Sequence, residues 1–112
     1  MDKNIWTGKI IPLADSVEYS ADSVVSKTLL DRKAGTLTLF AFDEGQGLSE
    51  HTAPYDATVQ ILDGEAEIRI DQETHNVQSG QMLIMPAGIP HELQAKKKFK
   101  MLLIMIREKK TG

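Results

Sequence analysis

The apolar residues of this chain come in short runs, each closed off by Gly, Pro, Asp or Asn, and no stretch carries a sustained 3.6-residue period. Runs of that length are strands, and strands must pair with one another to satisfy their backbones. Thr36–Phe42 follows Gly35 and is rich in β-branched and aromatic side chains. Thr58–Leu62 leads into Asp63-Gly64, a dipeptide favoured in tight hairpin turns, and Glu65–Ile70 then alternates charged and apolar residues. The two runs read as a hairpin. Met82–Met85 lies between Gly80 and Pro86, and Phe99–Ile106 forms a last strand that is apolar on both faces. Ser23–Leu30 reads as an earlier strand, and Ile10-Ile11, before Pro12, as a weaker one. Turn signals recur about every eight to twelve residues from Gly35 onward, the spacing of a sandwich or closed barrel. No helix longer than a turn is expected, and the fold class is all-β.

At 112 residues the chain is expected to be one domain, spanning residues 1–112. A chain of this size buries about 60–70% of its unfolded surface, enough for one real core. The formal net charge of −3 argues against nucleic-acid or membrane-surface partners, since both need a basic field. There are no cysteines, so disulfides and thiolate metal sites are excluded. The polar start Met1-Asp2-Lys3-Asn4 leads into no apolar signal segment. The longest apolar run, Met101–Ile106, would span only about 9 Å as a helix, far short of a bilayer. A soluble, cytoplasmic protein is expected. The basic run Lys96-Lys97-Lys98, with Lys100, reads as a solvated turn before the last strand.

Two glycine-bracketed segments hold the chemistry. The first runs from Gly45 through His51 to Gly64, and the second from Gly80 through Pro86 and Gly88 to His91. Gly64 permits a positive φ, and Pro86 and Gly88 shape a loop before His91. These residues resemble the two signature motifs of the cupin superfamily: Gly-x5-His-x-His-x3/4-Glu-x6-Gly and Gly-x5-Pro-x-Gly-x2-His-x3-Asn. Gly45, His51 and Gly64 fall on the first pattern, with Ala53 at the second His position and Ala57 at the Glu position. Gly80, Pro86, Gly88 and His91 fall on the second, with Ala95 in place of Asn. The resemblance covers Gly45 to Ala95, about half the chain, and implies a double-stranded β-helix, or jelly-roll, barrel.

In metal-binding members of that superfamily three histidines and a glutamate point into the barrel mouth. The resemblance therefore places His51 and His91 at ligand positions on different strands, facing one cavity, while Ala53 and Ala57 supply no donor. A third donor would have to come from Asp56, Glu50, Gln60 or His75. Gln60 has the wrong strand parity, as does Asp56 unless the strand begins after it, and His75 lies in a polar turn, Asp71–Asn76. With waters completing it, such a site would hold zinc, iron, manganese or nickel only weakly. The bland alternative makes both histidines half-buried residues satisfied by water or backbone. The expected ligand pocket comprises His51, His91, Tyr55, Gln60, Met82 and Met101. Met82, Met85, Met101 and Met105 either line a soft apolar pocket or fill the core.

The function expected from this is binding of a small organic ligand in a barrel with incomplete metal capacity. Three rivals stay open: a metal-dependent oxygenase or isomerase using His51 and His91, a metal-free acid–base isomerase acting on a sugar or keto acid, and a structural partner whose pocket is vestigial. The apolar surface of Phe40, Phe42 and Met101–Ile106 exceeds what a chain this short hides easily, so a homodimer is expected. Trp6 is expected at the subunit interface or capping one end of the barrel.

Overall fold

A computed structural model describes residues 4–107. Its strands are β1 (Val24–Arg32), β2 (Gly35–Phe42), β3 (Gly47–His51), β4 (Ala57–Ile70), β5 (Glu73–Gln78), β6 (Met82–Met85), β7 (His91–Gln94) and β8 (Phe99–Ile106). Every pairing is antiparallel. One sheet runs β1-β2-β8-β4-β6, and the other runs β5-β4-β7-β3. Strand β4 belongs to both, so the chain is a curled jelly-roll barrel whose two walls share one long strand.

The hairpin expected at Asp63-Gly64 does not form, because β4 passes straight through that dipeptide. Its first half, Ala57 to Ile61, pairs with β8, and its second half, Glu67 to Ile70, pairs with β7. Between them the register against β8 slips at Ile61/Asp63. That slip is a β-bulge with Leu62 as the extra residue, and Gly64 follows two positions on with φ of 75°. The inserted residue switches which side chains face in. Ala57, Val59 and Ile61 are buried before the bulge, and Ala66 and Ile68 after it. Odd positions give way to even ones because one extra residue reverses strand parity.

The true tight turn is one strand later. Ile70 pairs with Glu73 across the two residues Asp71-Gln72, and Asp71 adopts φ of 54°. His75 is therefore in strand β5, not in a polar turn. Only Val77 of that strand is buried, so its sequence carries little apolar alternation. Ile10-Ile11 forms no strand; these residues precede a single turn of 3-10 helix at Ala14–Ser16.

Two apolar layers result. The barrel interior holds Phe42, Val59, Ile61, Ala66, Ile68, Leu93, Phe99 and Met101. Phe42 stacks on Phe99 at 4.5 Å between ring centroids, and on Phe40 at 5.8 Å. Both phenylalanines of β2 thus face the barrel, Phe42 fully buried and Phe40 partly so, and neither belongs to the outer apolar face. The other face of β2 and β8, with Leu39, Ala41 and Leu102, is covered by the chain's own N-terminal segment through Trp6, Ile11, Leu13, Val17 and Tyr19. Trp6 accordingly packs on the outside of a sheet, with the Lys27 ammonium 5.6 Å from its ring, and does not cap the barrel end.

Candidate functional site

Strands β3 and β7 bring the two histidines together. His51 and His91 are direct partners across an antiparallel pair, just beyond an irregularity that begins after Leu48. Directly opposed residues project from the same face. The loop before β7 is fastened to the segment before β4. The Gly88 amide donates to the Ala53 carbonyl at 2.8 Å, and the Ala87 amide to the Asp56 carboxylate at 2.9 Å. Gly88 takes φ of 75°, so the loop reverses there without strain and delivers His91 inward.

The rings are then fixed in matching fashion. His51 Nδ1 donates to the Ser49 carbonyl at 2.8 Å, and His91 Nδ1 to the Ile89 carbonyl at 3.2 Å. A carbonyl oxygen only accepts, so each Nδ1 carries a proton and each Nε2 is left as a lone pair in the neutral ring. The two Nε2 atoms stand 3.1 Å apart, with the rings edge to face at 71°. His91 is buried, only 3% exposed, while His51 lies exposed at the rim. Burial, and next the neighbouring His51, hold the His91 imidazole below its ordinary value, against the opposing effect of its bond to Ile89.

Behind the pair lies a cavity of about 40 Å³, lined by Leu48, His51, Ala53, Ala57, Met85, His91, Leu93, Met101, Leu103 and Met105. Of the residues expected in the pocket, the structure brings together His51, His91 and Met101. Tyr55, Gln60 and Met82 do not line it. Gln60 alternates with the buried Val59 and Ile61 and so faces outward, and Met82 sits on the outer side of β6, 57% exposed. Tyr55 is half-buried in the connection from β3 to β4. Met85 takes the inward place on β6 instead, three residues beyond Met82 and on the opposite face. Leu48, Leu93 and Leu103 were not read as pocket residues. The apolar–polar alternation of β7, which puts Leu93 on the same face as His91, is the signal that would have found Leu93; β8 is apolar on both faces and its composition does not single out Leu103.

None of the carboxylates or side chains considered as a third donor reaches the cavity. Glu50 pairs with Arg69 at 3.0 Å, Asp56 holds the Ala87 amide, and His75 lies 3.8 Å from Glu73 on β5. Among the described residues no group of three or more His, Cys, Asp or Glu could hold a metal ion. The side chains present therefore do not fit a three-His, one-Glu centre, and two of its four positions are methyl groups.

A small jelly-roll barrel with imidazoles from two neighbouring strands at its mouth defines a structural class. The family model of the cupin domain matches residues 38–107, and this chain belongs to that family. It is similar to a conserved Streptococcus pyogenes protein of unknown function at 44% identity and a TM-score of 0.88, over 96% of this chain and 94% of that one. A cupin superfamily protein from Desulfitobacterium hafniense is 31% identical with a TM-score of 0.86, over 95% of this chain and 97% of that one. A cupin 2 conserved barrel protein from Leptotrichia buccalis is 39% identical with a TM-score of 0.84, over 87% of this chain and 47% of that one. No curated protein matches the chain.

Proposed function

We propose that this cupin binds a small organic molecule at the barrel mouth, using the imidazole pair as its anchor. The observation that carries the proposal is the pair of Nε2 lone pairs held 3.1 Å apart, each ring having spent its other nitrogen on a backbone carbonyl. Two acceptors facing each other repel unless something positive or proton-bearing lies between or above them. A hydroxyl, a carboxylic acid or an ammonium group meets that need. Organic ligands generally occupy pockets of about 300–1,000 Å³, and the cavity here is about 40 Å³. Only a small group of the ligand enters, and its body rests against the exposed rim near His51.

Catalysis through a resident divalent metal draws no support from the lining, because neither Ala53 nor Ala57 can coordinate. The test is a titration of small alcohols, acids and amines followed by the imidazole nitrogen resonances. A binding compound should shift both Nε2 signals, and His51→Ala should weaken it at least tenfold. If no compound of these classes moves the imidazole signals, the proposal fails. We also infer that two copies pair through the uncovered apolar part of the outer sheet, where Met82, Ile84 and Ile106 are exposed.

A further inference from the structure

The cavity wall opposite the histidines has its own chemistry. Ala57 pairs with Met85 on one side and Met105 on the other. Cross-strand partners share a face, so two thioethers flank the alanine methyl and line the same cavity as both imidazoles. Met101, also in the lining, lies two positions from Leu103 and four from Met105 on β8, on the inward face. The cavity thus gathers two imidazole nitrogens and three thioether sulfurs, with no carboxylate, hydroxyl or amide side chain among its lining residues.

We propose that this chamber is a binding site for a soft monovalent cation, copper(I) or silver(I), held by His51 and His91 with Met85 and Met105. Three features argue for that class. Thioethers are soft donors that select copper(I) over hard divalent ions, and imidazole suits copper as well. The donor set is neutral, and a dication buried without an anionic ligand is far costlier than a monocation. Two nitrogens each about 2.0–2.1 Å from one ion, at right-angled to tetrahedral geometry, stand about 2.9–3.4 Å apart; the Nε2 atoms are 3.1 Å apart. Methionine's unbranched, flexible side chain lets the sulfurs close on an ion without moving the backbone. Ala57, which stands where a glutamate ligand is expected, also clears the space between the two thioethers. The inference does not rest on the organic-ligand reading, although ion and ligand would compete for the same two Nε2 atoms, because what carries it is the pair of thioethers on the inner wall.

Silver(I), which undergoes no redox change, is the first probe. Titrated into the wild-type protein with ¹³C-methyl methionine, it should saturate at one ion per chain and shift the Met85 and Met105 methyl signals together with the imidazole signals. Copper(I), measured anaerobically against a chelator, should bind the Met85→Leu/Met105→Leu variant at least tenfold more weakly than wild type. Zinc(II) binding should be unchanged by that variant. Leucine conserves volume, and the wild-type methyl signals give the answer even if the variant folds poorly. Shifts confined to the imidazoles, equal copper(I) affinity in the double variant, or no silver binding would each overturn the site. Imidazole-only binding would leave the organic-ligand proposal standing.

Discussion

At the scale of single residues, the burial of His91 has an electrostatic consequence for stability near neutral pH. The residue is buried beneath an exposed partner, and its imidazole is held below the ordinary value of 6.5, chiefly by burial and then by His51. An unfolded chain therefore takes up the His91 proton more readily than the folded one. The resulting stability is complete above about pH 6.5 and is lost as pH falls through the depressed folded value. His91→Gln removes the titration but keeps a polar side chain of similar reach. The variant should show a shallower fall in urea midpoint than wild type between about pH 7 and 5. Parallel slopes would mean that His91 is not the group that resists charging. The presence of two histidines in the mouth was legible from motif spacing. Their shared use of Nδ1 was not, because it depends on where the Ser49 and Ile89 carbonyls point. The core gives a second residue-scale expectation. Phe42 is fully buried and stacked on Phe99, so Phe42→Ala should cost about 3–5 kcal/mol in denaturant unfolding.

At the scale of elements, the bulge in β4 decides which residues face the cavity. Asp63-Gly64 has the composition of a hairpin turn, and local sequence cannot separate a turn from a bulge that also needs a positive φ. What separates them is tertiary: β8 runs alongside β4 through the slip, from Ala57 opposite Met105 to Gly64 opposite Phe99, so the chain cannot turn back there. The long strands β2 and β8 were readable because they are apolar on both faces. Strands β3, β5 and β7 have six residues or fewer, and their partners, not their composition, make them strands. Gln60 and Met82 are cross-strand partners on the outer face, each an odd number of positions from the inward Ala57 and Met85, so strand parity alone keeps both out of the pocket. Gly64 offers a clean test. A Cβ there would adopt a left-handed backbone and also run into the Lys98 carbonyl. Gly80, with φ of 88°, has nothing within 4 Å of the same position. Gly80→Ala should lose about 1–2 kcal/mol from backbone strain alone, and Gly64→Ala clearly more, as read by urea unfolding. Equal losses would show that the close approach at the bulge is not rigid.

At the scale of the whole molecule, the outer face of the larger sheet is only partly covered. Its rows can be followed strand to strand: Leu37, Ile104, Thr58 and Ile84 lie in one register line, and Leu39, Leu102, Gln60 and Met82 in the next. The N-terminal segment covers the end of each row that holds Leu37 and Leu39. The other end stays open, with Met82 57% exposed, Ile84 58% and Ile106 64%. Ile106 ends β8, while Met82 and Ile84 belong to β6, an edge strand whose outward residues are apolar and carry none of the charges that usually protect an edge. A second copy related by a twofold axis would lay the same rows against one another, closing an apolar surface that each chain alone leaves in water. Ile84 lies near the middle of the open end and does not line the cavity. Ile84→Lys should therefore convert a dimer into a monomer in sedimentation velocity, without altering the imidazole signals. A wild-type chain that sediments as a monomer at high micromolar concentration would show that this face is simply solvated. A dimer indifferent to Ile84→Lys would place the contact on another face, for which the edges of β1, β3 and β5 are the remaining candidates.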